Sequence, residues 1–169
     1  KIMEMLTEAS IEYVKNQVKS GIDCFQLFET YSGIISNEDY KNFILPLSTK
    51  ILLEARESGV PTIFFPKNFN EGLKYINKEM CDYVSVDYDI SLDNARNLLD
   101  SEVGIQGNMD PKIFYQEIDG IENYLKSLID FGSKNTDWIF NLGHGFRPDI
   151  DHIKVKYVVE WIKNANWKR

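Results

Sequence analysis

The chain reads as an α/β protein built on a parallel sheet. Short apolar runs rich in β-formers recur along it, and each is followed by a stretch with helical spacing. The runs are also apolar almost throughout, as expected of strands covered on both faces. No linker, low-complexity segment or charge block divides the chain, so its 169 residues read as one domain.

Residues Ile2–Lys19 come first and place Ile2, Met5, Leu6, Ala9, Tyr13, Val14 and Val18 at three- and four-residue steps, which predicts a helix. The first strand is expected at Cys24–Glu29. A helix over Glu38–Glu57 follows, carried by Phe43, Leu47, Ile51, Leu52 and Ala55. Pro46 should bend or split it near its first turns, and Gly59-Val-Pro61 should stop it. Further strands are expected at Thr62–Lys67, Tyr83–Tyr88, Val103–Asn108 and Trp138–Gly143. The helical stretches between and after them are Asn70–Lys78, Ser91–Leu99, Pro111–Phe131 and Asp151–Asn164. Asp110 suits an N-cap, with Pro111 at the first helical position.

Two architectures fit this repeat: a doubly wound open sheet, or part of a (βα)8 barrel, which needs about 250 residues in full. Every strand delivers polar groups at its C-terminal end: Glu29-Thr30, Lys67-Asn68, Asp87, Asn108 with Asp110, and Asn141 with His144. A barrel gathers all such ends at one mouth, whereas an open sheet uses those near its switch point. The polar ends lean towards the barrel.

Composition excludes several functions. The net charge of −7 argues against broad binding to nucleic acid or an anionic membrane surface. No apolar run approaches the ~20 residues that span a bilayer. The opening KIMEMLTEAS lacks the apolar core of a signal peptide, and the first residue is Lys1, so an excerpt or processed product is expected. The two cysteines, Cys24 and Cys81, have no CxxC or HxC spacing; both read as buried structural thiols in a reducing compartment.

Several blocks carry a more specific signal. Asn141-Leu-Gly-His144-Gly-Phe-Arg-Pro148-Asp149 closely resembles the N-L-G-H-G-x-x-P-D block of uroporphyrinogen decarboxylases. Gln106-Gly-Asn-Met-Asp-Pro111 resembles their Q-G-N-x-D-P block, and Leu27-Phe-Glu-Thr-Tyr-Ser-Gly33 their F-[DE]-[ST]-x-x-G block. Phe64-Phe-Pro-Lys67 matches an F-x-K position, and Val86-Asp87-Tyr88 stands where L-D-W is usual. The blocks come in the family's order and span almost the whole chain.

The resemblance implies a (βα)8 barrel working without metal or organic cofactor, as a homodimer when full length, in cytosol or plastid. Residues 1–169 then form the C-terminal portion of one barrel domain, its last five βα units. The family's arginine cluster, pyrrole-gripping aspartate and cleft tyrosine find no counterpart here. The implied activity is stepwise decarboxylation of the four acetate arms of uroporphyrinogen to give coproporphyrinogen. This stretch alone is expected to be inactive and prone to self-association.

The resemblance also sorts the candidate residues. His144, flanked by two glycines after a strand, could be a surface histidine, but is expected to act catalytically and to hold a substrate carboxylate or the ring region. Thr30 is expected to contact a substrate carboxylate, its alternative being a turn hydroxyl bonded to its own backbone. Phe28 is either core or cleft wall, and Lys67 either a cation at the mouth or a solvated lysine. Asp87, Gln106, Asn108, Asp110 and Asn141 read as residues that orient loops. Nothing carries onto Arg147, although its charge would attract carboxylates. His152 reads as surface. The rivals are a zinc- and corrinoid-associated methyltransferase on a related barrel, for which the cysteines lack the HxC…C pattern, and a non-catalytic truncated barrel.

Overall fold

The computed structural model describes residues 1–167. Helix α1 (Ile2–Lys19) leads into β1 (Phe25–Glu29). A short α2 (Asn37–Asp39) then runs through a π turn, Tyr40–Ile44, into α3 (Leu45–Glu57). Next come β2 (Thr62–Pro66), β3 (Tyr83–Ser85), α4 (Leu92–Leu98), β4 (Gly104–Met109), α5 (Ile118–Ser127), α6 (Ile129–Lys134), β5 (Trp138–Leu142) and α7 (His152–Asn164). Pro46 interrupts the second long helix as expected. It has no N–H to donate, and the turn just before it widens so that the Leu45 N–H reaches the Tyr40 carbonyl.

All five strands are parallel and lie in the order β1-β2-β3-β4-β5. A doubly wound sheet reverses its order at a switch point; this one never does. Because parallel crossovers are right-handed, an unbroken order puts every connecting helix on one face. The sheet is therefore a five-unit arc of an α/β barrel.

Strand register identifies the two faces. Phe64, Val84, Ile105 and Met109 point to the helix side and are fully buried, packed with Val14 of α1, Leu52 and Ala55 of α3, and Ile121 and Leu125 of α5. The opposite, concave face carries Gln26, Phe28, Phe65, Ser85, Gln106, Ile139 and Asn141. Part of it stays open: Phe28 is 64% exposed and Ile139 38%. At its base the Tyr83 ring lies over Gly104, where any Cβ would sit 2.3 Å from ring carbons.

The N-terminal ends of the strands are held by ions. The Asp82 carboxylate accepts from the Thr62 N–H (3.0 Å), the Thr62 hydroxyl (3.1 Å) and the Lys78 ammonium (2.9 Å), with the Arg56 guanidinium 3.6 Å away. Arg96 pairs with Asp137 at 3.1 Å ahead of β5.

Three expectations are corrected, and α1, expected only as a helix, is found largely uncovered. The stretch Asn70–Lys78 forms only a 3-10 helix, Asn70–Tyr75, because Gly72 presses onto the buried Phe69 ring and Ile76 turns extended. Pro111–Phe131 is not one helix. A 3-10 turn (Pro111–Tyr115) ends at extended Gln116 and Glu117, and α5 and α6 follow. The apolar stripe of α1 is mostly uncovered: Ile2, Met5, Leu6 and Tyr13 are exposed, while Thr7 and Val14 are buried. The helix touches the rest of the fold chiefly through α3. Cys81 is buried, which pushes its thiol up to about 12, but Cys24 is exposed because it precedes the edge strand β1.

Phe64→Ala should cost about 3–5 kcal/mol, as for other fully buried aromatics, measured by denaturant unfolding of the natural protein. The acid limb of stability should depend on Asp82. Burial pushes its carboxyl up, but the Lys78 and Thr62 bonds outweigh this and lower it overall. A carboxyl lowered by folding stabilises above its unfolded value, and that contribution fades as pH falls below about 4. Asp82→Asn should flatten the stability profile there; an unchanged profile would assign acid sensitivity elsewhere. Residues 1–169 expressed alone should self-associate through the open edges of β1 and β5. A monodisperse monomer with one cooperative thermal transition would contradict this.

Candidate active site

The polar strand ends converge because neighbouring loops are bonded to one another. After β1, the Ser32 hydroxyl sits 3.1 Å from the Glu29 carbonyl and 2.5 Å from the Lys67 carbonyl, tying the first loop to the second. Gly33 lies so close to Asn68 that a Cβ there would come within 2.5 Å of the Asn68 Cβ. Asn68 itself has φ +58°, a left-handed conformation that asparagine tolerates better than most residues.

Asp87 forms the next tie. Its carboxylate is 3% exposed and accepts from the Asn68 N–H at 2.6 Å and the Asp89 N–H at 3.0 Å. The Asn108 amide at the end of β4 donates to the carbonyls of Asp87, at 2.8 Å, and Ile90. Gly143 closes the series. It donates to the Met109 carbonyl at 2.9 Å, and a Cβ on it would meet the Tyr88 nitrogen at 2.5 Å and the Asp87 carbonyl carbon at 2.8 Å.

His144 follows Gly143 directly, so the contact of Gly143 with the Asp87-Tyr88 backbone sets where the imidazole stands. Gly145, by contrast, has open space where its Cβ would be. His144 is exposed and belongs to the walls of two cavities. The larger, about 420 Å³, is an apolar groove lined by Phe28, Phe65, Phe140 and Phe146, with Gln26 and Ser85 on its floor. The smaller, about 250 Å³, is flanked by Lys67, Lys112 and Arg147, with Tyr88 and Asp110 beside them.

The other candidates fall into place around these cavities. Phe28 lines the groove, and Lys67 the smaller pocket. Thr30 is exposed at the end of β1 and lines neither cavity. Gln106 is buried, its amide 3.5 Å from the Gln26 side chain across the concave face. Asp110 caps its own turn, accepting from the Lys112 N–H at 2.8 Å. Asn141 lines the groove, and its Oδ1 accepts from the Leu142 N–H at 2.8 Å.

Sequence reasoning missed Ser32, which makes the turn-hydroxyl bonds considered for Thr30 two residues earlier. The signal was there in Ser32-Gly33, a hydroxyl beside a glycine that permits close approach. It also missed Tyr115, whose hydroxyl donates to Asp149 at 2.8 Å and ties the turn after β4 to the loop after β5. That bond raises the phenol's proton affinity.

A shared metal site is ruled out for the cysteines and His144 by position. Cys24 and Cys81 lie at the N-terminal ends of β1 and β3, whereas His144 stands at the C-terminal end of β5. Among the described residues no group of three or more His, Cys, Asp or Glu is placed to hold a metal ion. No described helix is long and apolar enough to cross a membrane.

Comparison with known proteins gives a consistent answer. A family model described as uroporphyrinogen decarboxylase matches residues 1–165. Curated relatives include the uroporphyrinogen decarboxylases of Geobacter sulfurreducens, 30% identical over 99% of this chain and 49% of that protein, and of Geotalea daltonii, 34% identical over 95% and 47%. The enzyme of Francisella philomiragia is 34% identical over 96% of this chain and 48% of its own length. The chain thus spans about half the length of the curated relatives it matches.

The two glycines around His144 should respond differently to substitution. Gly143→Ala forces a methyl into backbone and should destabilise by about 1–3 kcal/mol. Gly145→Ala should stay within about 0.5 kcal/mol. Thermal unfolding of both variants checks this, and equal effects would mean that the Gly143 contact does not hold the loop.

Proposed function

The chain belongs to the uroporphyrinogen decarboxylase family, and we propose that it supplies the His144 side of an active site that removes carboxyl groups from the acetate arms of uroporphyrinogen. One observation carries this reading: His144 stands between an apolar groove and a pocket flanked by cations, at the C-terminal ends of parallel strands where barrel enzymes do their chemistry. A tetrapyrrole with carboxylate arms needs both surfaces. Its rings fit an apolar wall such as Phe28 and Phe65, and its arms need positive charge.

The reaction needs an electron sink when CO2 leaves. Protonation of the adjacent pyrrole provides it, so the substrate does what a cofactor does elsewhere. On this proposal no metal or organic cofactor takes part. The protein holds the flexible macrocycle, presents one arm at a time, and moves protons. His144 is assigned to carboxylate holding and proton transfer at the reacting arm, Lys67 to charge at the mouth, and Thr30 to a hydroxyl contact on the rim. Asp87, Asn108 and Asp110 keep the loops in place. Gln106 stands behind the polar floor, next to Gln26, and Asn141 forms part of the wall of the groove. A homodimer of full-length chains is the proposed assembly.

The test is anaerobic turnover of uroporphyrinogen by the natural protein carrying these residues. Oxidised products are separated by chromatography. Porphyrins with seven, six, five and four carboxylates should appear in sequence. His144→Ala should slow the reaction at least ~100-fold, the scale of a lost proton-transfer group. Thr30→Ala should cost several-fold, the scale of one hydrogen bond. A folded, metal-free protein with no turnover would sink the proposal. Stoichiometric metal in the active protein would remove its cofactor-free part.

A further inference from the structure

We propose that Lys67, Lys112 and Arg147 form a second carboxylate subsite, distinct from the groove, that grips an arm of the substrate while another arm reacts beside His144. This rests on the decarboxylase reading above and specifies where a non-reacting arm is held.

The three cations come from different parts of the chain. Lys67 follows β2, Lys112 lies in the 3-10 turn after β4, and Arg147 lies in the loop after β5. They nevertheless face one pocket of about 250 Å³. Among the described residues none of them has a carboxylate within 4.0 Å. That is unexpected in a chain with 26 acidic and 19 basic residues. At the other end of the strands, Arg56, Lys78 and Arg96 all have acidic partners.

The acids near the pocket are engaged elsewhere. Asp110 accepts from the backbone of Lys112, and Asp149 accepts from the Tyr115 hydroxyl. Arg147 is near Tyr115 and favours its charged form, although the Asp149 bond outweighs this and raises the phenol overall. With Asp110 in the same wall the pocket carries three positive charges and one negative, an excess that favours an anion between them. An arginine fork and two ammonium groups suit a carboxylate on a short flexible arm. His144 lines both cavities, so an arm in this pocket leaves the macrocycle over the groove with a neighbouring arm at the imidazole.

The experiment measures binding by the natural protein carrying these residues. The probes are oxidised uroporphyrin, followed by fluorescence, and the small tricarboxylate tricarballylate, followed by calorimetry. The double variant Lys112→Ala/Arg147→Ala should bind uroporphyrin about ten-fold more weakly or worse, as expected for lost charge-assisted hydrogen bonds. Its affinity should also depend less on salt. Lys50→Ala/Lys163→Ala removes the same charge from exposed helix positions and should bind like the parent. Thermal midpoints of both variants check that the fold is intact.

Uroporphyrin binding with equal affinity in all three proteins overturns the subsite but leaves the decarboxylase reading standing. Tricarballylate binding that is lost in the first variant, with no uroporphyrin binding at all, keeps a carboxylate site and removes the decarboxylase reading. Inorganic phosphate competing as well as tricarballylate overturns the carboxylate assignment in favour of a general anion site.

Discussion

The mouth of this sheet depends on the buried carboxylate of Asp87. It takes two backbone N–H groups, from Asn68 and Asp89, while the carbonyl of the same residue takes the Asn108 amide. Three successive loops meet on one residue, and Gly143 packs against its backbone. Loops have no ladder of their own to satisfy their polar groups, so their shape is decided by such bonds. A buried carboxylate with two short donors fixes them strongly, because losing it would leave those amides unpaired in a dry site. Of the candidate residues at the mouth, His144 depends on that network most directly, through Gly143.

The two ends of the strands treat charge in opposite ways. At the N-terminal end Asp82 collects Lys78, Arg56 and both donors of Thr62, and Arg96 finds Asp137. At the C-terminal end Lys67, Lys112 and Arg147 line a cavity, with Asp110 in the same wall, and among the described residues none of the three forms an ion pair. This matches the division seen in α/β barrels, where one face serves stability and the other chemistry.

Much of this was legible in the residues. The strands follow from near-continuous apolar runs; four of their ten ends fall where expected and the others within three residues. Pro46 marked the break in its helix, and Asp110-Pro111, read as the cap and first position of a helix, caps a 3-10 turn instead. Helix identity was harder. The spacing at Asn70–Lys78 suited a helix, but burial of the Phe69 ring under Gly72 tightened it to a 3-10 turn. In α1 the apolar spacing described a real helix but not which side is covered, since coverage depends on what packs there. The same limit explains Cys24, whose apolar context said nothing about its place before an edge strand. Among the candidates, His144 and Lys67 were picked out by local motifs, and the fold brings both to the wall of one pocket. Lys112 was not, because it gains meaning only when the register of β2, β4 and β5 brings three distant loops to one cavity.

The unbroken strand order has a consequence for how the molecule is made. Each strand pairs with the one that precedes it in the chain, so no strand has to wait for a distant partner. A nascent polypeptide can therefore assemble the sheet in the order of its synthesis, with short loop closures at each step. Asp87 leaves the ribosome before Asn108, and both leave it before Gly143. The segment that carries the imidazole is thus made after the loops it rests on, and can dock onto a mouth whose other walls are already synthesised.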